Sequence, residues 1–147
     1  MRAILDVSVL IALLDTQHLH HAGVTRWFAN NAASGWASCP LTQNGCIRIL
    51  SQPAYLNSTA AAVVADILID ATADVSHQFW PDSFNLLESG ALNWDRLLSG
   101  RHLTAVYLLA LAVRNKGRLA TLDQGIPLSA VPGALPEHLI VLSNKAP

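Results

Sequence analysis

The sequence has 147 residues, the length of one domain that buries roughly 70% of its unfolded surface without disulfides or a structural metal. Apolar residues make up 52% of it and charged residues 13%, so we expect a heavily buried sheet, a surface covered by a partner, or both. The net charge of −1 argues against strong nonspecific attraction to nucleic acids, and the apolar runs are shorter than the ~20 residues that a membrane helix requires.

The N-terminal segment predicts a strand followed at once by a helix. Ala3–Leu5 is a short apolar run that ends at Asp6, and Val7–Leu14 is apolar on most faces, as a buried helix is. With a single basic residue before Asp6, the segment lacks the pattern of a secretion signal, so a cytoplasmic protein is expected. Further along the first half, the pattern predicts a helix at 20–31, a strand at 36–39 and a helix at Pro40–Leu50.

The second half continues this alternation of strands and helices. The predicted helices are 58–71, capped by Ser58 or Thr59, and 105–115, capped by Thr104 and closed by Gly117. The predicted strands are 74–79, Arg118–Thr121 and 139–142. Because strands alternate with helices and neither a repeat nor a linker interrupts them, we expect residues 1–147 to form one α/β domain. Its central, mostly parallel sheet should be covered by helices on both faces.

Two acidic residues follow predicted strands. Asp6 comes directly after the first strand, and Asp123 lies near the end of Arg118–Thr121. In an open parallel sheet, ligands gather beyond the carboxyl ends of the strands, where the strand order reverses. Carboxylates brought together there repel each other unless a cation neutralises them, and their hard oxygens suit Mg²⁺ or, alternatively, Mn²⁺. Taken singly, an aspartate after a strand is more often a helix cap or a turn residue than a metal ligand.

Four segments of the chain carry a combination of motifs in a fixed order. They are LDVSVLIAL at 5–13, CPLTQNG at 39–45 followed by Arg48, LTAVYLLALA at 103–112 and RLATLD at 118–123. Each is modest alone, but together they span 1–125 and resemble PIN-domain ribonucleases, the VapC-like toxins of type II (VapBC) toxin–antitoxin systems. The resemblance implies a PIN-like three-layer α/β/α sandwich.

The resemblance also implies an activity, a metal and partners. It implies a Mg²⁺-dependent endoribonuclease that cleaves tRNA or ribosomal RNA to inhibit translation, a VapB-like antitoxin that inhibits it, and a homodimer. Asp6 carries over as the first metal ligand, and Asp123 as a late acidic residue that is either a ligand or holds water near the metal. The candidates for contacts with the RNA substrate are Ser8, Asn44, Arg48 and Arg101, with Arg96 and Arg114 as further phosphate-binding candidates.

Two positions depart from the family pattern. Gln43 stands where Glu is frequent, and its amide oxygen could still accept a hydrogen bond from water near the metal. Ala105 stands where the family motif TDxYLLALA has a ligand aspartate, and a methyl group cannot coordinate Mg²⁺. An aspartate there would also gain about 0.3–1 kcal/mol from the positive end of the helix dipole. We therefore expect weak metal binding and little or no nuclease activity in this chain.

Three other functions share features with this sequence. A noncatalytic PIN scaffold that binds only antitoxin or RNA is supported by Ala105. A phosphohydrolase of the haloacid-dehalogenase type also begins with an aspartate after a strand, but it needs a second one two positions later, where Ser8 stands. A nucleotide-binding Rossmann module lacks its glycine-rich phosphate motif.

Two groups of potential metal ligands are interpreted as structural. His18, His20 and His21 fall at a loop and a helix start without an acidic companion, so solvation or packing is expected of them. Cys39 and Cys46 lie outside any zinc-ligand spacing, so buried reduced thiols are expected.

Overall fold

The computed structural model describes residues 1–142 and is built around a sheet. The strands are β1 (Ala3–Leu5), β2 (Trp36–Ser38), β3 (His77–Phe79), β4 (Arg118–Thr121) and β5 (Leu139–Val141). These five strands form one sheet in the order β3-β2-β1-β4-β5, and every neighbouring pair runs parallel. The predicted single domain over 1–147 includes residues 143–147, which lie outside the described residues.

The helices cover the sheet in two layers. They are α1 (Val7–Leu14), α2 (His21–Asn31), α3 (Pro40–Leu50), α4 (Ala61–Thr72) and α5 (Leu103–Arg114). α1 contacts α2 and α3, and α3 contacts α4, so these helices form one layer, whereas α5 packs on β1 and β4. Within residues 1–142, no helix combines the length and the apolar character needed to cross a membrane.

Side chains of the central strands alternate between the two layers. Ile4 in β1 packs into the apolar cluster of α5, whereas Ala3 and Leu5 pack into the cluster of α1. Leu119 and Ala120 alternate in the same way along β4. Because successive residues of a strand point to opposite faces, both faces of the sheet are buried. The predicted three-layer α/β/α sandwich with a parallel sheet is confirmed.

The predicted cap of α4 was wrong. Neither Ser58 nor Thr59 caps this helix, whose cap position is Ala60. The Thr59 hydroxyl donates instead to the carbonyl oxygen of Asn57, at 3.3 Å. The Thr59 hydroxyl therefore bonds within the segment before α4 and not to the helix, which starts later than predicted.

The predicted cap of α5 was also wrong. Thr104 lies inside the first turn, because α5 begins at Leu103 with His102 in the cap position. A 3-10 turn at Gly100–His102 leads directly into the helix, and the Ser99 hydroxyl oxygen accepts from the backbone N–H of Arg101 at 3.4 Å. Position 105 still falls in the first turn of α5, as the sequence predicted.

β2 and β3 are shorter than predicted. Cys39 leaves the strand to take the cap position of α3, where its backbone N–H donates to the Thr42 hydroxyl at 3.0 Å. Asp74 accepts a hydrogen bond from the backbone N–H of Ser76 at 2.8 Å, which forms a turn before β3. Polar side chains thus set both strand boundaries.

α5 ends at a left-handed residue that is not the predicted glycine. Lys116 has a φ of 56°, and the N–H groups of Lys116 and Gly117 donate to carbonyls in the last turn at 3.1 and 2.8 Å. These two bonds form a Schellman motif, in which glycine is usual at the position of Lys116. Gly117 has a different role: a Cβ there would lie 2.6 Å from the carbonyl oxygen of Arg2 and 2.6 Å from the Trp80 ring.

Substitutions at these neighbouring positions should have opposite effects on the free energy of unfolding. Gly117→Ala should lower it by about 1–3 kcal/mol, because neither the Arg2 backbone nor the packed indole can move away freely. Lys116→Gly should leave it unchanged or raise it by up to about 1 kcal/mol, because glycine adopts a positive φ without a Cβ clash. Urea denaturation measures both changes, and equal destabilisation by the two variants would contradict these roles.

Asp15 joins the end of α1 to the segment that precedes α4. Its carboxylate accepts hydrogen bonds from the Tyr55 hydroxyl and from the Asn57 side-chain amide, the latter at 3.2 Å. The Tyr55 hydrogen bond is the largest cause of the lowered pKa of Asp15. Burial and the same bond raise the pKa of Tyr55 to about 12.

Tyr55→Phe should destabilise the protein in a pH-dependent way. At neutral pH we expect a loss of about 1 kcal/mol, at the low end for a bond to a charged group because the pair is partly exposed. The folded-state pKa of Asp15 lies below its unfolded value of about 3.9, so the stabilisation is complete above that value and lost as the pH falls through the folded pKa. Urea denaturation of both proteins, in steps downward from about pH 5, should show the difference narrowing. A constant difference would refute the coupling.

Candidate active site

The strand order reverses at the boundary between β1 and β4. From β1 the chain builds outward through β2 to β3, and it then returns to the other side of β1 to form β4 and β5. Asp6 directly follows β1, and Asp123 comes two residues after the end of β4. Both acidic residues therefore lie at the carboxyl edge, at the switch point where open parallel sheets bind ligands.

Asp6 is buried and held by hydrogen bonds at both oxygens. It caps α1, with Oδ1 accepting from the backbone N–H of Val7 at 2.8 Å, and Oδ2 accepts from the Thr121 hydroxyl at 2.7 Å. Burial is the main cause of the raised pKa of Asp6, the negative charge of Asp123 raises it further, and the two hydrogen bonds oppose the rise. The two carboxylates are thus close enough to repel each other, as the strand ends predicted.

Thr121 connects the two acidic segments. Its hydroxyl donates to Asp6 and accepts from the backbone N–H of Asp123 at 3.0 Å, and the side chain is fully buried. Ser8 adds a second link, because its hydroxyl oxygen accepts from the backbone N–H of Leu122 at 3.4 Å. Sequence reasoning missed Thr121, although a polar side chain that ends an apolar strand two residues before an aspartate was a usable signal.

Ala105 faces the interior from the first turn of α5. It is 3% exposed and belongs to the apolar cluster that includes Ile4 in β1 and Cys39, which directly follows β2. Because α5 ends shortly before β4 begins, its first turn lies toward the carboxyl edge of the sheet. Position 105 is therefore directed inward at the edge that carries Asp6, but its methyl group offers no metal ligand.

The donor set at this edge fits one hard cation with water completing its shell. Among residues 1–142, no group of three or more His, Cys, Asp or Glu side chains is arranged to hold a metal. Asp6 and Asp123 remain as oxygen donors, and each hydrogen-bonded Asp6 oxygen keeps a further lone pair. Mg²⁺ is commonly bound by one or two carboxylates and several waters, so this pair of carboxylates suits Mg²⁺ but should bind it with low affinity.

The remaining predicted site residues lie at different distances from the edge. Gln43 is in the first turn of α3, and its Nε2 donates to the Ser38 hydroxyl oxygen at 2.9 Å. Asn44 follows it and is exposed, whereas Arg48 is exposed in the last turn of α3, farther from the edge. Arg101 is exposed in the 3-10 turn that leads into α5, on the same side of the sheet as Ala105.

The two other arginines differ in availability. The Arg96 side chain is 66% exposed and lies 4.0 Å from Asp95. The guanidinium of Arg114 lies 4.5 Å above the ring of Phe84, at the end of α5 that is distant from Asp6. Arg114 is therefore engaged in a cation–π contact away from the carboxyl edge.

The residues interpreted as structural have structural contacts. His21 Nδ1 lies 2.7 Å from the carbonyl oxygen of Ala12, and His18 Nδ1 accepts from the backbone N–H of His20 at 3.0 Å. Both cysteines are buried free thiols, as predicted, and burial raises the pKa of Cys46 to about 12.

Sequence reasoning also missed an acidic residue near the end of β2. Burial is the largest cause of the raised pKa values of Tyr107 and Cys39, and the negative charge of Asp82 raises both further. No motif pointed to Asp82, which lies in the irregular segment after β3. Its proximity to the other two groups depends on tertiary packing.

Comparisons with known proteins agree with this architecture. Ribonuclease VapC44 of Mycobacterium tuberculosis is 46% identical over 142 residues, which are 97% of this chain and 100% of that protein. Ribonuclease VapC39 of the same organism is 40% identical over 134 residues, covering 90% of this chain and 96% of that protein. Ribonuclease VapC38, also from this organism, is 38% identical over 127 residues, covering 84% and 86%.

A solved structure has the same fold. The crystal structure of M. tuberculosis VapC20, described as a sarcin–ricin loop cleaving toxin, matches with a TM-score of 0.59 and 13% identity over 88% of this chain and 99% of that chain. At this identity the match concerns the fold alone. No family model matches the sequence. The identities to VapC44 and VapC39, which extend over nearly the whole chain, show that this chain belongs to the VapC family of PIN-domain ribonucleases.

Proposed function

We propose that the chain is the toxin of a VapBC module, a Mg²⁺-dependent endoribonuclease by descent whose activity is impaired by Ala105. The observation that carries this proposal is the pair of carboxylates, Asp6 and Asp123, joined through Thr121 at the switch point of the sheet. Repulsion between these groups favours a cation, and the relatives are named ribonucleases. We expect the protein to be located in the cytoplasm.

Asp6 and Asp123 would hold the metal, with Mn²⁺ as the alternative to Mg²⁺. The chemistry that such an ion supplies is activation of a water for attack on an RNA phosphate and neutralisation of charge at the leaving oxygen. Thr121 and the backbone N–H of Val7 keep the Asp6 carboxylate oriented, and Ser8 holds the turn that leads to Asp123. In this proposal Gln43 contributes its amide oxygen as a hydrogen-bond acceptor at the same edge.

The proposed substrate is tRNA or ribosomal RNA. The name of VapC20 as a sarcin–ricin loop cleaving toxin supports ribosomal RNA as one candidate for this chain. Arg101, exposed before α5, is the proposed main phosphate contact because a guanidinium fork matches phosphate oxygens. Asn44, which follows Gln43 in α3, and Arg48 are proposed as weaker contacts.

The proposed partners are a VapB-like antitoxin and a second copy of the chain. Both would cover apolar surface, and α4 offers such surface because Val63, Ile67 and Ile69 are between 42% and 63% exposed. Val63 and Ile67 are one helical turn apart on the same face of α4, and exposed apolar patches are typical of protein interfaces.

A noncatalytic scaffold is the second candidate function. Ala105 favours it, because the chain retains the fold and the surfaces of the family while lacking a carboxylate in the first turn of α5. Such a protein would bind antitoxin or RNA without turnover, and restoring the acid would not create an active site.

Ala105→Asp should create a competent nuclease. A third carboxylate at this edge should raise the affinity for Mg²⁺ at least about tenfold and the rate of RNA cleavage at least about 100-fold. Isothermal titration with Mg²⁺ and cleavage of total RNA with and without the metal measure the two effects. Ala105→Asn is the matched control, since it has the same shape without the charge. If the aspartate variant shows no gain over the asparagine variant, the scaffold is the correct interpretation.

Thr121→Val should lower both stability and metal affinity, because it removes the hydroxyl that joins Asp6 to the backbone of Asp123. The isosteric change leaves a buried Asp6 oxygen without its donor, so the free energy of unfolding should fall by about 1–3 kcal/mol. In the Ala105→Asp protein, the affinity for Mg²⁺ should fall about tenfold, as is usual when a partner of a metal ligand is removed. Thr121→Ser keeps the hydroxyl and serves as the control. Equal affinities in the valine and serine variants would disprove the orienting role.

A further inference from the structure

A chain of hydrogen bonds runs from β3 to the first turn of α3. The Ser38 hydroxyl at the end of β2 lies 2.8 Å from Nε2 of His77, and Nε2 of Gln43 lies 2.9 Å from the same hydroxyl oxygen. Ser38 is 1% exposed, so water has little access to it. We propose that Ser38 and His77 are positioning residues that orient the side-chain amide of Gln43, with its nitrogen on Ser38 and its oxygen free to accept hydrogen bonds at the carboxyl edge.

The direction of these bonds follows from the state of the His77 ring. Burial is the largest influence on the pKa of His77 and lowers it, and the nearby charge of Arg2 lowers it as well, so the neutral ring is favoured. The Thr72 backbone, at the end of α4, acts in the opposite sense and raises the pKa of His77, as a carbonyl oxygen near the ring does. Because Nε2 faces Ser38, the proposed arrangement places the ring proton on the other nitrogen, Nδ1, on the side of Thr72.

With the ring proton on Nδ1, the remaining proton positions in this series of hydrogen bonds follow from it. A neutral imidazole has a single N–H, and with that proton on Nδ1, His77 Nε2 presents a lone pair to Ser38. The Ser38 hydroxyl gives its one proton to that lone pair, and its oxygen can only accept a further hydrogen bond. Gln43 therefore must turn its NH₂ group toward Ser38, which leaves Oε1 as the atom it can offer to other groups.

Packing around the ring keeps this arrangement in place. The Trp36 ring lies 4.5 Å from the His77 ring, and Trp36 is 5% exposed, so the imidazole cannot rotate freely. An amide in the opposite orientation would direct N–H donors toward the edge that carries Asp6 and Asp123, where a cation is proposed. The Ser38–His77 pair thus makes a glutamine resemble a glutamate in the atom it presents.

Two NMR measurements test the orientation of Gln43: the tautomer of the His77 ring and the hydrogen exchange of the Gln43 side-chain amide. In ¹⁵N-labelled protein, the proton of the His77 ring should be on Nδ1, and the Gln43 side-chain amide should exchange with solvent at least about fivefold more slowly than that of exposed Gln17. Ser38→Ala should abolish the slow exchange, whereas Ser34→Ala, at an exposed serine, should not. A proton on Nε2 of His77, or equally rapid exchange of Gln43 and Gln17 in the unsubstituted protein, would overturn the proposal even if a variant failed to fold.

The role in the reaction rests on the proposed function and is tested in the Ala105→Asp protein. There, Ser38→Ala should lower kcat about tenfold with little change in KM, because it frees the orientation of the Gln43 amide without removing a substrate contact. Adding Gln43→Glu should restore kcat, because the two oxygens of a carboxylate are equivalent and need no orienting partner. If Gln43→Glu did not restore kcat, Ser38 and His77 would not act as positioning residues for Gln43. An inactive Ala105→Asp protein would instead refute the proposed nuclease, and the tautomer and exchange measurements would still decide the orientation of Gln43.

Discussion

The arrangement of the candidate site depends on the buried hydroxyl of Thr121. It donates to Asp6 and accepts from the backbone of Asp123, so one side chain fixes both acidic segments although they are far apart in the sequence. Without such a tie, the buried Asp6 carboxylate and the exposed Asp123 carboxylate beside it would separate or take up a proton. The hydroxyl therefore holds a repulsive pair in the geometry in which a cation is the most favourable neighbour.

The parts of the site that belong to strand ends could be predicted from the sequence. Ala3–Leu5 and Arg118–Thr121 are apolar runs that end near an aspartate, and parallel strands bring their carboxyl ends to one edge. These two facts were sufficient to bring Asp6 and Asp123 together. The inward position of residue 105 followed in the same way, because it depends only on the start of an apolar helix.

The parts that depend on tertiary contacts could not be predicted. Thr104 had the side chain of a helix cap, but the preceding 3-10 turn extends α5 past it. Gly117 had the composition of a helix end, yet its lack of a side chain is required by the Arg2 backbone and the Trp80 ring. At Thr104 the competing element is the adjacent turn, whereas at Gly117 it is a pair of distant residues that no spacing in the sequence identifies.

The methyl group of Ala105 also affects how the fold relates to its environment. Alanine is the residue with the best intrinsic helix propensity, and a buried carboxylate without a counter-ion would raise the free energy of the folded chain. An aspartate at this point would make stability vary with the concentration of divalent ions, since binding to the native state alone adds to its stability. With alanine, the first turn of α5 is held by apolar packing. The native state then needs no cation, because position 105 carries no charge. Metal-dependent cleavage therefore favours an acidic side chain at position 105, whereas stability that does not vary with divalent ions favours an apolar one.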